Sequence, residues 1–91
     1  MRNLNTADLI EQAQDTLASF LVIEIQTATT FVELAKAKNK ATESERRMSL
    51  KKSAQVAADT VERLKDGLHD EDSRNRIESQ LFELRQAINC L

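Results

Sequence analysis

Residues 50–68 read LKKSAQVAADTVERLKDGL, a stretch whose apolar side chains recur at alternating intervals of four and three residues. This spacing is the period of an α-helix that buries one face. The residues on that face are Leu50, Ala54, Ala57, Val61, Leu64 and Leu68. Because the middle of the face carries alanines, two neighbouring helices can approach it closely. The stretch therefore predicts the central helix of an all-α bundle.

The limits of this central helix are marked by residues with known roles at helix ends. Thr42 and Glu45 have the spacing and chemistry of a capping box, which satisfies the free amide groups at a helix start. Gly67 stands where a left-handed residue would close the helix. We therefore predict a helix over about residues 43–66.

Another amphipathic helix follows after a short acidic turn. Asp70, Asp72 and Ser73 are each able to accept hydrogen bonds from the free amides at its start. Its apolar positions repeat the same spacing and are Ile77, Leu81, Leu84, Ile88 and Leu91. We predict a helix over about residues 72–90 that packs against the alanines of the central helix.

The N-terminal part of the chain predicts a longer helix over about residues 5–38, with Asn5 as its cap. Its expected inward face comprises Ile10, Ala13, Leu17, Leu21, Glu24, Ala28, Phe31 and Ala35. Residues 20–25 are rich in β-branched side chains and also resemble a strand, but no other segment alternates with period two to pair with them. Since short loops join the helices, residues 1–91 should form one antiparallel three-helix bundle with a long first helix.

The central helix carries the pattern Ala54-x-x-Ala57-x-Asp59-Thr60-Val61-x-Arg63-Leu64. With the turn and helix that follow, residues 46–91 resemble the helix-turn-helix units of tetratricopeptide-like (TPR-like) proteins. The chain also resembles small bacterial all-helical proteins of uncharacterised role that place one long helix before such a pair. It departs from the tetratricopeptide consensus because Trp, Tyr, the closing Pro and a second repeat are absent. The resemblance implies a helical-hairpin interaction module and assigns no functional residue.

The residue content argues against an ordinary enzyme. Cys90 is the only cysteine, so neither an intrachain disulfide nor a thiolate metal cluster can form within the sequence. His69 is the only histidine, which leaves none for a Ser-His or Cys-His pair. Glu24 falls on an apolar stripe opposite Ala57 and Ala58 rather than beside a second titratable group. We expect no catalytic residue, no metal site and no cofactor.

The location of the protein is expected to be cytoplasmic. Glu24 interrupts the most apolar stretch, which falls short of the roughly 20 apolar residues that cross a bilayer. The N-terminus has neither the apolar core nor the small-residue cleavage site of a signal peptide. The sequence therefore predicts no membrane span.

Positive charge is concentrated around the first loop, where residues 36–52 carry a net charge of +5 against −7 for the rest of the chain. The cationic residues of this basic segment are Lys36, Lys38, Lys40, Arg46, Arg47, Lys51 and Lys52. The segment is either a solvated loop and helix start or a surface for nucleic acid, an anionic membrane or the acidic end of a second copy. The acidic pI of about 5.4 and the absence of aromatic or glycine residues between the lysines disfavour nucleic acid.

Several apolar residues lie outside the expected inward faces. They are Val22, Ile23, Ile25, Val32 and Phe82. Monomers rarely expose a large contiguous apolar patch, so we predict that Val22, Ile25, Val32 and Phe82 contact a partner, either a second copy in a homodimer or another helical protein. Packing of Val32 and Phe82 at the edges of the bundle is the alternative.

Three functions remain open at this point. The first is a non-enzymatic helical interaction or scaffold module that self-associates. The second is a regulator that binds nucleic acid or another anionic surface through residues 36–52. A small-molecule site in the alanine-lined gap near Glu24 is the third, although no such ligand is expected.

Overall fold

Three helices make up most of the part of the chain that the structure describes. The computed structural model describes residues 6–37 and 44–91. The elements are α1 (Thr6–Ala37), α2 (Ser44–Leu64), a 3₁₀ turn (Lys65–Gly67) and α3 (Glu71–Asn89). These ranges contain no β-strand, which confirms the all-α three-helix prediction. The helix limits lie within two residues of the predicted ones, and the predicted caps Asn5 and Thr42 lie outside the described residues.

The first two helices run in opposite directions, and the Gln14 side chain fixes their alignment. Its Nε2 donates to the carbonyl oxygen of Gly67 at 2.9 Å. Its Oε1 accepts from the backbone amide of His69 at 2.7 Å. The early part of α1 therefore lies beside the turn that follows α2, as an antiparallel pair requires.

The second and third helices are also antiparallel. Lys65, just after α2, pairs with Glu78 near the start of α3 at 3.1 Å. Asp59, earlier in α2, pairs with Arg85 near the end of α3 at 2.9 Å. The residue numbers in α2 fall as those of their partners in α3 rise, so the chain reverses its direction at the second turn.

A single apolar core lies between the helices. Its buried residues are Leu21, Ile25, Ala28, Val32 and Ala35 from α1, Ala54, Ala57, Ala58 and Val61 from α2, Leu68 from the turn, and Ile77, Leu81, Leu84 and Ile88 from α3. Burying each large apolar side chain contributes about 1.5–3 kcal/mol. The alanines of α2 fill the space between two bulky neighbours, as predicted.

The predicted inward faces of α2 and α3 are largely confirmed. Four of the five predicted residues of α3 are buried, and the fifth, Leu91, is half-buried and packs against the core. On α2, Leu50 is half-buried and Leu64 is 36% exposed. The face of α2 is thus correct in its centre and less buried at these two positions.

The inward face of α1 differs from the predicted one. Ile25 and Val32 are 7% and 2% exposed, whereas Glu24 and Phe31, which the predicted stripe points inward, are half-buried. Successive residues are about 100° apart around a helix. Replacing position 24 by 25 and position 31 by 32 turns the buried face by about 50°. Glu24 therefore lies at the margin of the core.

The end of α2 also differs from the prediction. Gly67 has no positive φ, so the predicted left-handed closure is wrong. The helix instead tightens into the 3₁₀ turn, and Leu68 leaves it in an extended conformation with φ −75° and ψ 127°. A Cβ at position 67 would lie 3.1 Å from Cδ2 of Leu17. Glycine is favoured here because α1 passes close to the turn.

The start of α3 is capped by a side chain. Asp70 Oδ2 accepts from the Ser73 backbone amide at 2.9 Å and from Ser73 Oγ at 2.7 Å. The two hydrogen bonds from Ser73 stabilise the carboxylate and lower the pKa of Asp70, with a smaller contribution from the charge of Arg76. Of the three predicted caps, Asp70 is the one that the structure selects.

The N-terminal end of α1 extends past the rest of the bundle. Gln14 is hydrogen-bonded to the second turn, and the side chains of residues 8–13, which precede it, are all exposed. Leu9 and Ile10 are 49% and 47% exposed, so the extension carries apolar side chains into water. The molecule is 61 Å in its longest dimension.

Candidate interaction surface

A second row of residues follows α1 on the side opposite the core. Its members alternate at intervals of four and three along the helix and are all exposed. We call this row the outer face, which comprises Leu9, Ala13, Thr16, Phe20, Ile23, Thr27, Thr30 and Leu34. At about 100° per residue, the centre of the outer face lies about 130° around the helix from the centre of the buried residues. Helix α1 therefore has two faces with the same heptad spacing.

The outer face exposes four large apolar side chains. Leu9, Phe20, Ile23 and Leu34 are 49%, 41%, 57% and 46% exposed. Two shallow depressions that share Thr16 and Phe20 run along its N-terminal half. Single exposed apolar residues are common on proteins, but several in one row indicate a surface that another molecule covers.

Two of the three threonines of the outer face are less polar than their residue type suggests. Thr16 Oγ1 donates to the carbonyl oxygen of Gln12 at 3.0 Å, and Thr30 Oγ1 donates to that of Gln26 at 3.1 Å. Such hydrogen bonds to the preceding turn satisfy the hydroxyl within the helix. Both threonines can then offer their methyl groups to an apolar neighbour without losing a hydrogen bond to water.

Charge is sparse along the middle of α1. Between Asp15 and Glu33 the only charged residue is Glu24. Over Asp8–Ala37 this helix is long and apolar enough to cross a membrane by length and composition, a property that core helices share. The prediction of no membrane span rested on Glu24 as an interruption, whereas a longer window accommodates one carboxylate.

The predicted partner residues do not form one surface. Ile25 and Val32 belong to the core, so these two side chains are inaccessible to a partner. Val22 is half-buried and packs against the core. Phe82 is 63% exposed, but it lies on α3 in a groove shared with α2. The surface indicated by the structure is the outer face, of which only Ile23 was among the extra apolar residues noted from the sequence.

The groove beside Phe82 is bordered by a network of ion pairs. Lys65 Nζ lies 3.1 Å from Glu78, 3.4 Å from Asp66 and 3.5 Å from Glu62. The hydrogen bond to Glu78, which outweighs the opposing effect of burial, raises the pKa of Lys65. Because Lys65 lies among three carboxylates on both sides of the α2–α3 turn, the network favours a structural role.

The same network extends further along the two helices. Arg85 lies 2.9 Å from Asp59 and 3.7 Å from Glu62, so Glu62 is shared between Arg85 and Lys65. The ion pairs join α2 and α3 at successive positions along the hairpin. They hold the hairpin together and leave Phe82 as the apolar residue that projects beside them.

The basic segment lies at the end of the bundle opposite the acidic turn. Its described residues comprise Lys36, Arg46 and Lys52, which are exposed, and Arg47 and Lys51, which are half-buried, whereas Lys38 and Lys40 lie outside the described residues. The carboxylates at the other end are Asp8, Glu11, Asp15, Asp66, Asp70, Glu71 and Asp72. The molecule therefore has a basic end and an acidic end.

No cluster of three or more metal-ligating side chains occurs within residues 6–37 and 44–91. Cys90 is exposed with a free thiol, and the backbone amide of the exposed His69 donates to the Gln14 side chain.

The chain matches no family model, no curated protein and no solved structure.

Proposed function

We propose that this protein is a helical protein–protein interaction module that self-associates through the outer face of α1. The observation that carries this proposal is the row of four large, exposed apolar side chains at heptad spacing from Leu9 to Leu34. Heptad spacing is the arrangement in which side chains of one helix fit between those of another. The proposed role is non-enzymatic and cytoplasmic.

The α2–α3 hairpin supports this role by holding α1 straight and fixing which side faces outward. Leu21, Ala28 and Ala35 are completely buried against the hairpin. The Gln14 side chain ties α1 to the second turn through a donor and an acceptor at once. Because these contacts fix the rotation of α1, the outer face is presented in one orientation and needs little reorganisation on binding.

A pair of matched substitutions tests the proposal. Ile23→Glu places a carboxylate in the outer face, and Phe82→Glu makes the same type of change at a side chain of similar exposure on α3. We expect Ile23→Glu to weaken self-association by about a hundredfold or more, because burying an unpaired charge costs several kcal/mol. Phe82→Glu should leave it unchanged. Light scattering gives the mass of each variant, and circular dichroism checks that the helices persist.

Two results would contradict self-association through the outer face. Equal masses for Ile23→Glu and the parent chain would show that this face is not the contact. A loss of association in Phe82→Glu alone would move the contact to the α2–α3 groove. The Ile23 position is suitable because its side chain is 57% exposed and so contributes little to the folded monomer.

A second candidate function is binding of an anionic surface through the basic segment. The exposure of Lys36, Arg46 and Lys52 at one end of the bundle favours it. Binding to a phosphate-rich polymer such as heparin should weaken steeply with added salt and be lost in Arg46→Glu. Retention of binding at high salt, or in Arg46→Glu, would argue against this function.

A further inference from the structure

We propose that the molecule covering the outer face is a second copy of this chain in antiparallel orientation, with facing residues whose numbers sum to 43. This inference rests on the proposed self-association and adds its geometry. The register places a twofold axis between positions 21 and 22 of α1. The facing pairs are Leu9 with Leu34, Ala13 with Thr30, Thr16 with Thr27, and Phe20 with Ile23 of the second copy.

The spacing of the outer face supports this register. Its intervals run four, three, four, three, four, three, four from Leu9 to Leu34, which is the same sequence of intervals when counted from either end. Two antiparallel copies therefore match position for position. Large side chains meet at the centre and at both ends, whereas alanine and threonine meet between them. Alternation of large and small contacts allows the two helices to approach closely.

Charge selects the antiparallel orientation over the parallel one. Asp8, Glu11 and Asp15 lie at one end of α1. At the other end Lys36 is balanced by Glu33, and the start of α2 adds the net positive charge of Arg46, Arg47, Lys51 and Lys52. A parallel pair would place like charges side by side at both ends, whereas an antiparallel pair places each acidic end beside a basic end. The hairpin strengthens this preference, since its acidic turn lies beside the start of α1. The antiparallel arrangement also opposes the two helix dipoles.

The exposed extension of α1 gives a second reason for a partner that is itself a helix. The side chains of residues 9–13 are exposed, and a helical segment of two turns is marginal in water by itself. In the proposed register Leu9 lies against Leu34 of the second copy. That part of α1 is backed by its own core, because Val32 and Ala35 are buried there. Each copy thus supports the extension of the other.

A second copy accounts for the outer face better than a lipid bilayer does. The inner face of α1 is covered by α2 and α3, with Leu21, Ala28 and Ala35 at 0% exposure. For α1 to cross a membrane, either this core would have to separate or the charged hairpin would have to enter the hydrocarbon. A second helix covers the outer face and leaves the core intact.

The test measures distances between nitroxide labels in the dimer. Single cysteines at Gln12, Ser19 and Glu33, in a Cys90→Ser background, place labels at exposed positions next to the outer face. At a rise of 1.5 Å per residue, the proposed register separates paired labels along the helix axis by about 28, 8 and 34 Å respectively. Electron paramagnetic resonance measures the long distances by dipolar coupling and the short one by line broadening.

The possible outcomes distinguish the antiparallel orientation, the register and the second copy from the proposed function. Short distances of equal size at all three positions would show a parallel dimer, which overturns the antiparallel inference and leaves the proposed function intact. Antiparallel distances with a minimum away from Ser19 would overturn the register. Absence of coupling at all three positions in a dimer of confirmed mass would overturn both statements. Labels that become buried in added phosphatidylcholine vesicles would identify a membrane as the occupant and overturn the second copy.

Discussion

At the scale of single residues, the alanines of α2 determine how closely the helices approach. Ala54 and Ala58 are 0% exposed and Ala57 is 7% exposed, so none has room for a longer side chain. The sequence predicts this role, because small side chains in the middle of an apolar face allow two neighbouring helices to approach closely. Gly67 is a contrasting residue. Glycine is favoured at this position because Leu17 of α1 passes close to it. This contact joins distant parts of the chain, so the local turn sequence does not predict it.

The fit at Ala57 gives a prediction about stability. Ala57→Leu should lower the free energy of unfolding by about 1–3 kcal/mol, because the added atoms force their neighbours apart. Gln55→Leu is the matched control, since position 55 is exposed on the same helix. Urea unfolding followed by circular dichroism measures both. Equal stability of the two variants would mean that α2 does not present Ala57 to the core.

The Asp70 cap gives a prediction about pH. The pKa of Asp70 is lowered in the folded protein by the hydrogen bonds from Ser73, so the folded state favours the carboxylate. This stabilisation is present above the ordinary value of 3.8 and is lost as the pH falls through the lowered folded value. Asp70→Ala should therefore lower the melting temperature at pH 7, and its difference from the parent should shrink under acid conditions.

The control for the cap is Asp70→Asn, which keeps an acceptor for the Ser73 amide without a titrating group. Its difference from Asp70→Ala should persist as the pH falls. Melting temperatures measured between about pH 2 and 7 distinguish the variants. A difference between the parent and Asp70→Ala that is independent of pH over this range would contradict the cap.

At the scale of elements, the three helices differ in how well the sequence alone predicts which face is buried. Apart from Phe82, the large apolar residues of α3 fall on one side of the helix, so only one rotation buries a continuous stripe. Around Phe20–Ile25, α1 is apolar on every side, and two rotations about 50° apart satisfy the same spacing. The choice between them depends on where α2 and α3 pack, which is not a local property.

The partner surface could not be predicted for the same reason. Once Ile25 and Val32 are assigned to the core, Leu9, Phe20, Ile23 and Leu34 remain as large exposed apolar residues in one row. With Glu24 and Phe31 assigned inward, Ile25 and Val32 are instead left outside the core and become candidate partner residues. Because the predicted rotation of α1 was wrong by about 50°, two of the predicted partner residues, Ile25 and Val32, lie in the core.

The ends of α1 give a prediction about orientation. Lys36→Glu should weaken the dimer by about two- to fivefold, because it faces the acidic end of the second copy and exposed ion pairs contribute modestly. Adding Asp8→Lys to the same chain should restore part of the affinity, since the new carboxylate at position 36 then faces a new cation at position 8 of the second copy. Sedimentation velocity measures the dissociation constants, with Arg63→Glu as an exposed control for the charge change. A double variant weaker than Lys36→Glu would contradict the antiparallel arrangement.

At the scale of the whole molecule, the separation of charge between the two ends follows from topology and sequence together. Residues 36–52 carry +5 and the described ones among them lie at one end of the bundle, whereas the acidic second turn and the start of α1 lie at the other. Such a molecule is oriented by electrostatics before its apolar surface makes contact. Added salt should slow association, whereas the apolar outer face should keep the dimer together.

Sedimentation equilibrium of the unmodified chain over a wide concentration range is the most direct test of self-association. We expect a mass that rises from that of the 10.3 kDa chain to twice this value and then stays constant, as a closed twofold dimer requires. A mass of one chain at every concentration up to about 1 mM, a Kd that corresponds to roughly −4 kcal/mol, would contradict it.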